Sequence, residues 1–245
     1  MPDQLHYLLI QIRTADDPMR TQEVRCFCRA LGCRSDQLAT FDLLAGTPNQ
    51  ADLQMADAVF IGGSGDYSAA GESAWLERTL LGLKKLHTLG KPTFASCWGF
   101  QALARALGGR CIHDPAHAEL GTIPLQLTPA GRDDPLFGEL PAHFLAHAGH
   151  EDHVVSLPPA AVLLASSPRV AQQAFKFADA PIYGTQFHPE LDRQAFLERI
   201  TTYPRYVQQI AGLTVEQFTD RCQETPAANQ LLRRFVENVA RGILV

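Results

Sequence analysis

The chain is predicted to fold as α/β, with a mostly parallel central sheet, helices on both faces and a helical C-terminal extension. Three observations carry this prediction. Short apolar runs alternate with helix-period segments in the order strand, helix, strand, strand, helix, strand, helix, the signature of strands joined by crossovers. The runs are apolar on both sides rather than alternating, as in strands covered on both faces. Of the 245 residues 46% are hydrophobic and 19% charged, which suits one α/β domain or one domain with an appendage.

Composition also excludes several classes. A net charge of −5 with no basic run argues against nucleic acid as the main partner. The apolar run at 7–12 lies between Asp3 and Arg13 and is too short for a signal peptide or a membrane span. Export and membrane insertion are therefore not expected. Six cysteines (26, 28, 33, 97, 111 and 222) show no C-x-x-C spacing, which points to a reducing, cytoplasmic compartment and mostly structural thiols.

Residues 7–13 read as a buried first strand. Asp16-Asp17-Pro18 opens a helix that runs to Leu31 and stops at Gly32. Cys26 and Cys28 fall at i, i+2 in it, too far apart around the helix to chelate a metal together. Residues 38–44 are a weaker second strand, followed by the turn Gly46-Thr47-Pro48-Asn49. Residues 57–61 form a clearer strand running into Gly62-Gly63-Ser64-Gly65. This loop has neither G-x-G-x-x-G nor a Walker lysine, so a phosphate cradle has no further support. Its backbone N–H groups can instead aim at a developing oxyanion, because no Cβ obstructs them. Asp66, Tyr67 and Ser68 belong to the same rim. Residues 72–87 make an amphipathic helix with the stripe Trp75, Leu76, Leu80, Leu83 and Leu86.

Gly90-Lys91-Pro92 leads into a strand at 92–95, and Cys97 follows at an elbow before a helix. Phe100, Leu103, Ala104 and Leu107 set the helix period, and Gly108-Gly109 stops it. At that elbow, unsatisfied N–H groups and the positive end of the helix dipole stabilise a thiolate. Trp98 can offer its backbone N–H to an oxyanion. Gln101, four residues after Cys97, projects from the same face toward whatever Cys97 attacks, and Gly99 keeps the approach open. The competing reading is a buried cysteine that merely begins a core helix.

Beyond the elbow, 111–127 is strand-like and 135–141 is a short helical turn. The next piece is His143-Phe144-Leu145-Ala146-His147-Ala148-Gly149-His150-Glu151-Asp152-His153; taken alone, its His147, His150 and His153 with Glu151 and Asp152 offer N and O ligands within reach of one metal, the strongest rival to a cysteine-based site. Strands follow at 161–165, 173–177 and 182–187. The last ends in His188-Pro189-Glu190, where period two puts the imidazole and the carboxylate on one side. Glu190 can then hold the tautomer of His188 while His188 takes the Cys97 proton. The remainder is helical: 193–210 with a break at Pro204, 214–222 with Thr214 and Gln217 as a capping box, and 227–243.

Taken together, the elbow and the His segment resemble the class I, triad-type glutamine amidotransferases, in particular stand-alone glutaminase-like members and the glutaminase domain of GMP synthase. The His motif G-x-Q-F-H-P-E is met in full at 184–190. The elbow motif G-x-C-x-G-x-Q is met except for Ala95 in place of its first glycine. The resemblance covers roughly residues 40–195 and implies a flavodoxin-like fold for residues 1–198, with 199–245 as a helical extension packed on the same globule. It implies Cys97, His188 and Glu190 as the catalytic set, Gly63 and Trp98 as oxyanion donors, and Gly62 and Gln101 beside the substrate. His150-x-Asp152-x-Val154-x-x-Leu157-Pro158 matches the family's H-x-D-x-V-x-x-L-P segment, which helps hold the substrate's amino-acid end, although Gly149 stands where the family has serine. No metal and no organic cofactor are implied.

The expected activity is cleavage of the γ-amide of glutamine through a Cys97 thioester, with ammonia passed to an acceptor enzyme or a synthase partner. One alternative is a γ-glutamyl peptidase that acts on γ-glutamyl peptides without a synthase. Another, from a different class, is a catalytically silent regulatory or metal-binding protein on the same fold.

Overall fold

Strands buried on both faces must satisfy their backbone groups side by side, and the apolar runs do so here. The computed structural model describes residues 5–244. Its strands are β1 (Tyr7–Gln11), β2 (Leu38–Asp42), β3 (Ala58–Ile61), β4 (Thr93–Ser96), β5 (Arg110–His113), β6 (Glu119–Leu127), β7 (His143–His150), β8 (Asp152–Ser156), β9 (Ala161–Ser166), β10 (Ala174–Phe177) and β11 (Ile182–Thr185). Nine of them form one mixed sheet in the order β2-β1-β3-β4-β11-β10-β9-β6-β7. From β2 to β11 the neighbours are parallel, and from β11 to β7 they are antiparallel. β5 and β8 pair separately as a two-stranded antiparallel sheet. The strand-like stretch 111–127 is thus divided between two sheets.

The helices are α1 (Met19–Leu31), α2 (Gln50–Met55), α3 (Ala74–Thr88), α4 (Trp98–Ala106), α5 (Pro129–Arg132), α6 (Arg193–Thr202), α7 (Pro204–Tyr206), α8 (Val215–Arg221), α9 (Pro226–Asn229) and α10 (Leu231–Ala240). Gly32 ends α1 in the left-handed conformation, φ 68°, which glycine adopts without a steric penalty. The predicted capping box is present, with Thr214 and Gln217 satisfying each other's backbone N–H groups at the start of α8. A second box, Asn49 with Asp52, opens the unforeseen α2. The break expected at Pro204 separates α6 from α7, and a π-helical turn at Val207–Ala211 follows.

Alternation along the strands sorts side chains into two cores. Leu9, Phe60, Phe94 and Tyr183 face α1 and α10, whereas Ile10, Val59, Ile61 and Ala95 face α3 and α4. Phe235 of α10 meets Phe60, Phe94 and Tyr183 edge-on at 5.9, 5.5 and 6.1 Å, so this C-terminal helix covers the middle of the sheet. On the other face Gly99 lets α4 press on β3, since a Cβ there would lie 2.8 Å from the carbonyl oxygen and side chain of Ile61. Among the described residues no helix is long and apolar enough to cross a membrane.

Candidate active site

The sheet places the elbow and the His segment next to each other. β4 and β11 are parallel neighbours with Ser96 opposite Thr185, so Cys97 and the chain leading to His188 leave adjacent carboxyl ends, where open α/β sheets bind ligands. Cys97 has φ 51° and ψ −105°, and among the described residues it is the one non-glycine with positive φ. Such a conformation costs roughly 1–3 kcal/mol and persists because its surroundings impose it. Here the Cys97 N–H donates to the Thr185 carbonyl at 2.8 Å, and the Cys97 carbonyl accepts from Gln101 N–H at 3.1 Å as α4 begins. The residue is 95% buried and lines a cavity of about 340 Å³.

His188 lies at the floor of the same cavity. Its backbone N–H donates to the His147 carbonyl at 2.9 Å, and its Nδ1 meets Glu190 Oε1 at 2.7 Å with both side chains buried. Burial pulls the imidazole down, but the Glu190 carboxylate and then the Cys97 sulfur outweigh it and raise His188 from 6.5 to about 9. Burial pushes the Glu190 carboxyl up, yet His188 and Arg199 hold it below the usual carboxylate range. Arg199 of α6 stands 3.7 Å from Glu190 Oε1 and donates through Nε and Nη2 to Gln22 Oε1 of α1 at 3.2 and 2.9 Å.

The glycine loop closes over this pair. A Cβ on Gly63 would lie 2.9 Å from His188 Cε1 and 3.5 Å from Cys97 Cβ, so a side chain there would displace the imidazole. Beneath it Gly62 makes room for the Glu23 carboxylate, which a Cβ would meet at 2.5 Å. Trp98 is the first residue of α4, where the helix offers its N–H no internal partner. Gln101 lines the cavity, and its Nε2 donates to the Asp152 carbonyl at 2.7 Å and to Gln186 Oε1 at 3.1 Å. Gln186 in turn directs its Nε2 to Cys97 Sγ at 3.8 Å. His150 and Asp152 also line the cavity. The His150 ring is held between the Asp152 carbonyl and Glu119, while the Asp152 carboxylate accepts from Ser68 Oγ at 2.5 Å and pairs with His113 at 2.8 Å.

The remaining histidines go elsewhere. His147 and His150 are an odd number of positions apart on β7 and so leave opposite faces. His147 stacks on Phe196 at 4.5 Å, and burial followed by the neighbouring His188 charge lowers it to about 4. His153 faces His117 across 5.9 Å. Among the described residues no group of three or more His, Cys, Asp or Glu side chains is arranged to hold a metal ion.

Several residues at the site carry no motif of their own. Arg199 and Gln22 brace Glu190 from amphipathic helices, and nothing in their spacing marks them. Gln186 lies inside the His motif, which is the one signal that could have found it. Tyr203 and Tyr206 flank Pro204 in what reads only as a helix break, yet both line the cavity.

The arrangement offers a sulfur nucleophile, a paired imidazole and carboxylate, and N–H groups at a loop and a helix start, the set that acyl transfer through a covalent intermediate needs. The family model for the class I glutamine amidotransferases matches residues 26–201. The chain belongs to the class I glutamine amidotransferase family. Within that family it is 27% identical over 253 residues to gamma-glutamyl peptidase 4 of Arabidopsis thaliana, covering 100% of this chain and 97% of the relative. It is 34% identical over 112 residues to the glutamine-hydrolysing GMP synthase of Thermosipho africanus, covering 46% of this chain and 21% of that enzyme. A solved glutamine amidotransferase from Thermotoga maritima superposes with a TM-score of 0.75 at 20% identity, over 96% of this chain and 97% of that one, a likeness that concerns the fold.

Proposed function

We propose that this amidotransferase-family chain hydrolyses γ-glutamyl amides through a Cys97 thioester and that its substrates carry leaving groups larger than ammonia. Cys97 Sγ bonds to the γ-carbonyl carbon as the carbonyl electrons move onto oxygen, where the Gly63 and Trp98 N–H groups receive the charge. Collapse breaks the C–N bond, and His188 gives its proton to the departing amine. Water then loses a proton to His188 and attacks the thioester, which releases glutamate and restores the thiol. Glu190 keeps His188 in the tautomer and charge that both steps use.

The observation that carries this reading is the 2.7 Å His188–Glu190 pair beside a strained Cys97 on the floor of an open cavity. The larger leaving group is supported by the relation to the Arabidopsis peptidase, which extends over nearly the whole of both chains, whereas the GMP synthase match spans about a fifth of that enzyme. The cavity of about 340 Å³ falls at the lower end of the roughly 300–1,000 Å³ range of small-molecule pockets. A second reading, a glutaminase that supplies ammonia to a synthase partner, is favoured by the higher identity to GMP synthase, 34% over 112 residues.

Mass-spectrometric detection of glutamate released from glutamine and from a panel of γ-glutamyl peptides tests both. Faster turnover of the peptides is expected, with a loss of at least about 10³-fold in Cys97→Ala. Glutamine turned over alone would transfer the assignment to the second reading. A Cys97→Ala protein at full rate would remove the covalent mechanism altogether.

A further inference from the structure

The cavity has two unlike walls. On the elbow side stand Gln101, His150 and Asp152, all polar. On the His188 side stand Leu120, Leu191, Phe196, Ile200, Tyr203 and Tyr206, with Arg199 and Arg13 among them, whose guanidinium groups are engaged by Glu190 and Gln22 and by Asp17 and Glu23. Leu191, Phe196 and Ile200 belong to neither of the sheet's two cores. They pack with Val207, Phe218 and Cys222 in a third cluster built mainly from the chain beyond His188, with Leu120 laid against it.

The two tyrosines fasten this wall across the mouth. Tyr203 Oη donates to Asp17 Oδ1 at 2.8 Å, and Tyr206 Oη donates to the Gly65 carbonyl at 2.6 Å, on the loop that carries Gly63. With each hydroxyl proton given to the protein, the rings offer the cavity their carbon surface rather than a donor. The π-helical turn at Val207–Ala211 follows Tyr206 directly, a distortion that is frequent beside ligand sites.

The chemistry fixes which end of a substrate meets which wall. His188 must protonate the departing nitrogen, so that nitrogen and its substituent lie on the His188 side. The glutamyl α-amine and α-carboxylate carry charge, so the polar wall suits them and the apolar one does not. We infer that Ile200, Tyr203 and Tyr206 form a leaving-group subsite that selects γ-glutamyl amides whose amine bears an aromatic or other bulky apolar substituent. This deepens the proposed hydrolase reading and rests on it for the orientation of the substrate.

Two probes with the same zwitterionic glutamyl end and no charge on the amine substituent, γ-glutamyl-ethylamide and γ-glutamyl-2-phenylethylamide, differ only in apolar bulk on the leaving side. Titration calorimetry on Cys97→Ala protein is expected to show the phenylethylamide binding about tenfold more tightly or better. Adding Tyr206→Ala, or separately Tyr203→Ala, should bring the two probes to within about twofold, whereas Tyr206→Phe keeps the ring and should keep the preference. Equal affinities in the Cys97→Ala parent would overturn the subsite, as would a preference that survives both alanine variants in protein melting near the parent temperature. Hydrolysis by the Cys97 protein separates the two levels. Cleavage of both amides without a binding preference removes the subsite and leaves the hydrolase reading, and a binding preference with no cleavage of either removes the hydrolase reading and leaves the subsite.

Discussion

Replacing Glu190 with Gln changes the charge at the relay while keeping its shape. In the native arrangement His188 is lifted from 6.5 to about 9 against the effect of its own burial, and the Glu190 charge is the largest single contribution to that lift, ahead of the Cys97 sulfur. The lift corresponds to roughly 3 kcal/mol in favour of the imidazolium. Losing the Glu190 share of it should lower kcat by about 10-fold to 10²-fold, and more if the amide turns its NH₂ toward Nδ1 and selects the wrong tautomer. Arg199, 3.7 Å away, would lose its carboxylate, at a cost on the order of a few kcal/mol in stability. The pH dependence has a definite sign. His188 has a raised value in the folded state, so its stabilising contribution is complete below 6.5 and disappears as pH rises through about 9. Wild-type melting temperature should therefore fall between pH 6.5 and about 9, and Glu190→Gln should flatten that slope. The alkaline limb of kcat should also move to lower pH in the variant, because the imidazolium that protonates the amine is lost earlier. The assay is kcat by glutamate release, paired with thermal melts across the same pH range. A variant within twofold of wild type, with an unmoved alkaline limb, would refute the relay.

Two other perturbations bear on the same site. Gly63→Ala puts a methyl 2.9 Å from His188 Cε1 and should cost about 10²-fold in kcat, with a stability loss of only about 1–3 kcal/mol; full activity would place the loop away from the reacting atoms. A glutamine-like electrophile at neutral pH should modify Cys97 first, since burial pushes Cys26 to about 11 and Cys33 and Cys111 to about 12, and also raises Cys28 and Cys222. Peptide mapping that found any of those five labelled ahead of Cys97 would contradict a reactive elbow.

What could be read from the residues depended on how local its cause is. The apolar runs at 7–13, 57–61 and 92–95 became β1, β3 and β4 because burial on both faces leaves a continuous signal. Gly32, Pro204 and the Thr214–Gln217 box act within a few residues and fell where expected. Pairing across the sheet is not local, and so the separation of β5 from β6 and the antiparallel run from β11 to β7 left no trace in periodicity. α2 was hidden because its Asn49–Asp52 box adjoins a Gly-Thr-Pro turn. At the site, the motifs placed Cys97, His188 and Glu190, but the brace from Gln22 through Arg199 is assembled from two helices far apart in the chain. The histidine run, a rival metal signal set aside for the H-x-D-x-V-x-x-L-P match, shows the converse, since adjacency in sequence became dispersal once β7 and β8 sent alternate residues to opposite faces.

Because Cys97 and His188 leave neighbouring strands whose register is set at Ser96 and Thr185, their spacing is tied to an inter-strand ladder of about 4.8 Å. A ladder in the middle of a nine-stranded sheet has no hinge, and its partners on either side resist sliding. The proposed relay is therefore as stiff as the sheet itself, assembled before any ligand arrives. Modulation of such a protein has little purchase on the reacting pair and must work at the rim, where a few hydrogen bonds from tyrosines hold a helical flank against a glycine loop.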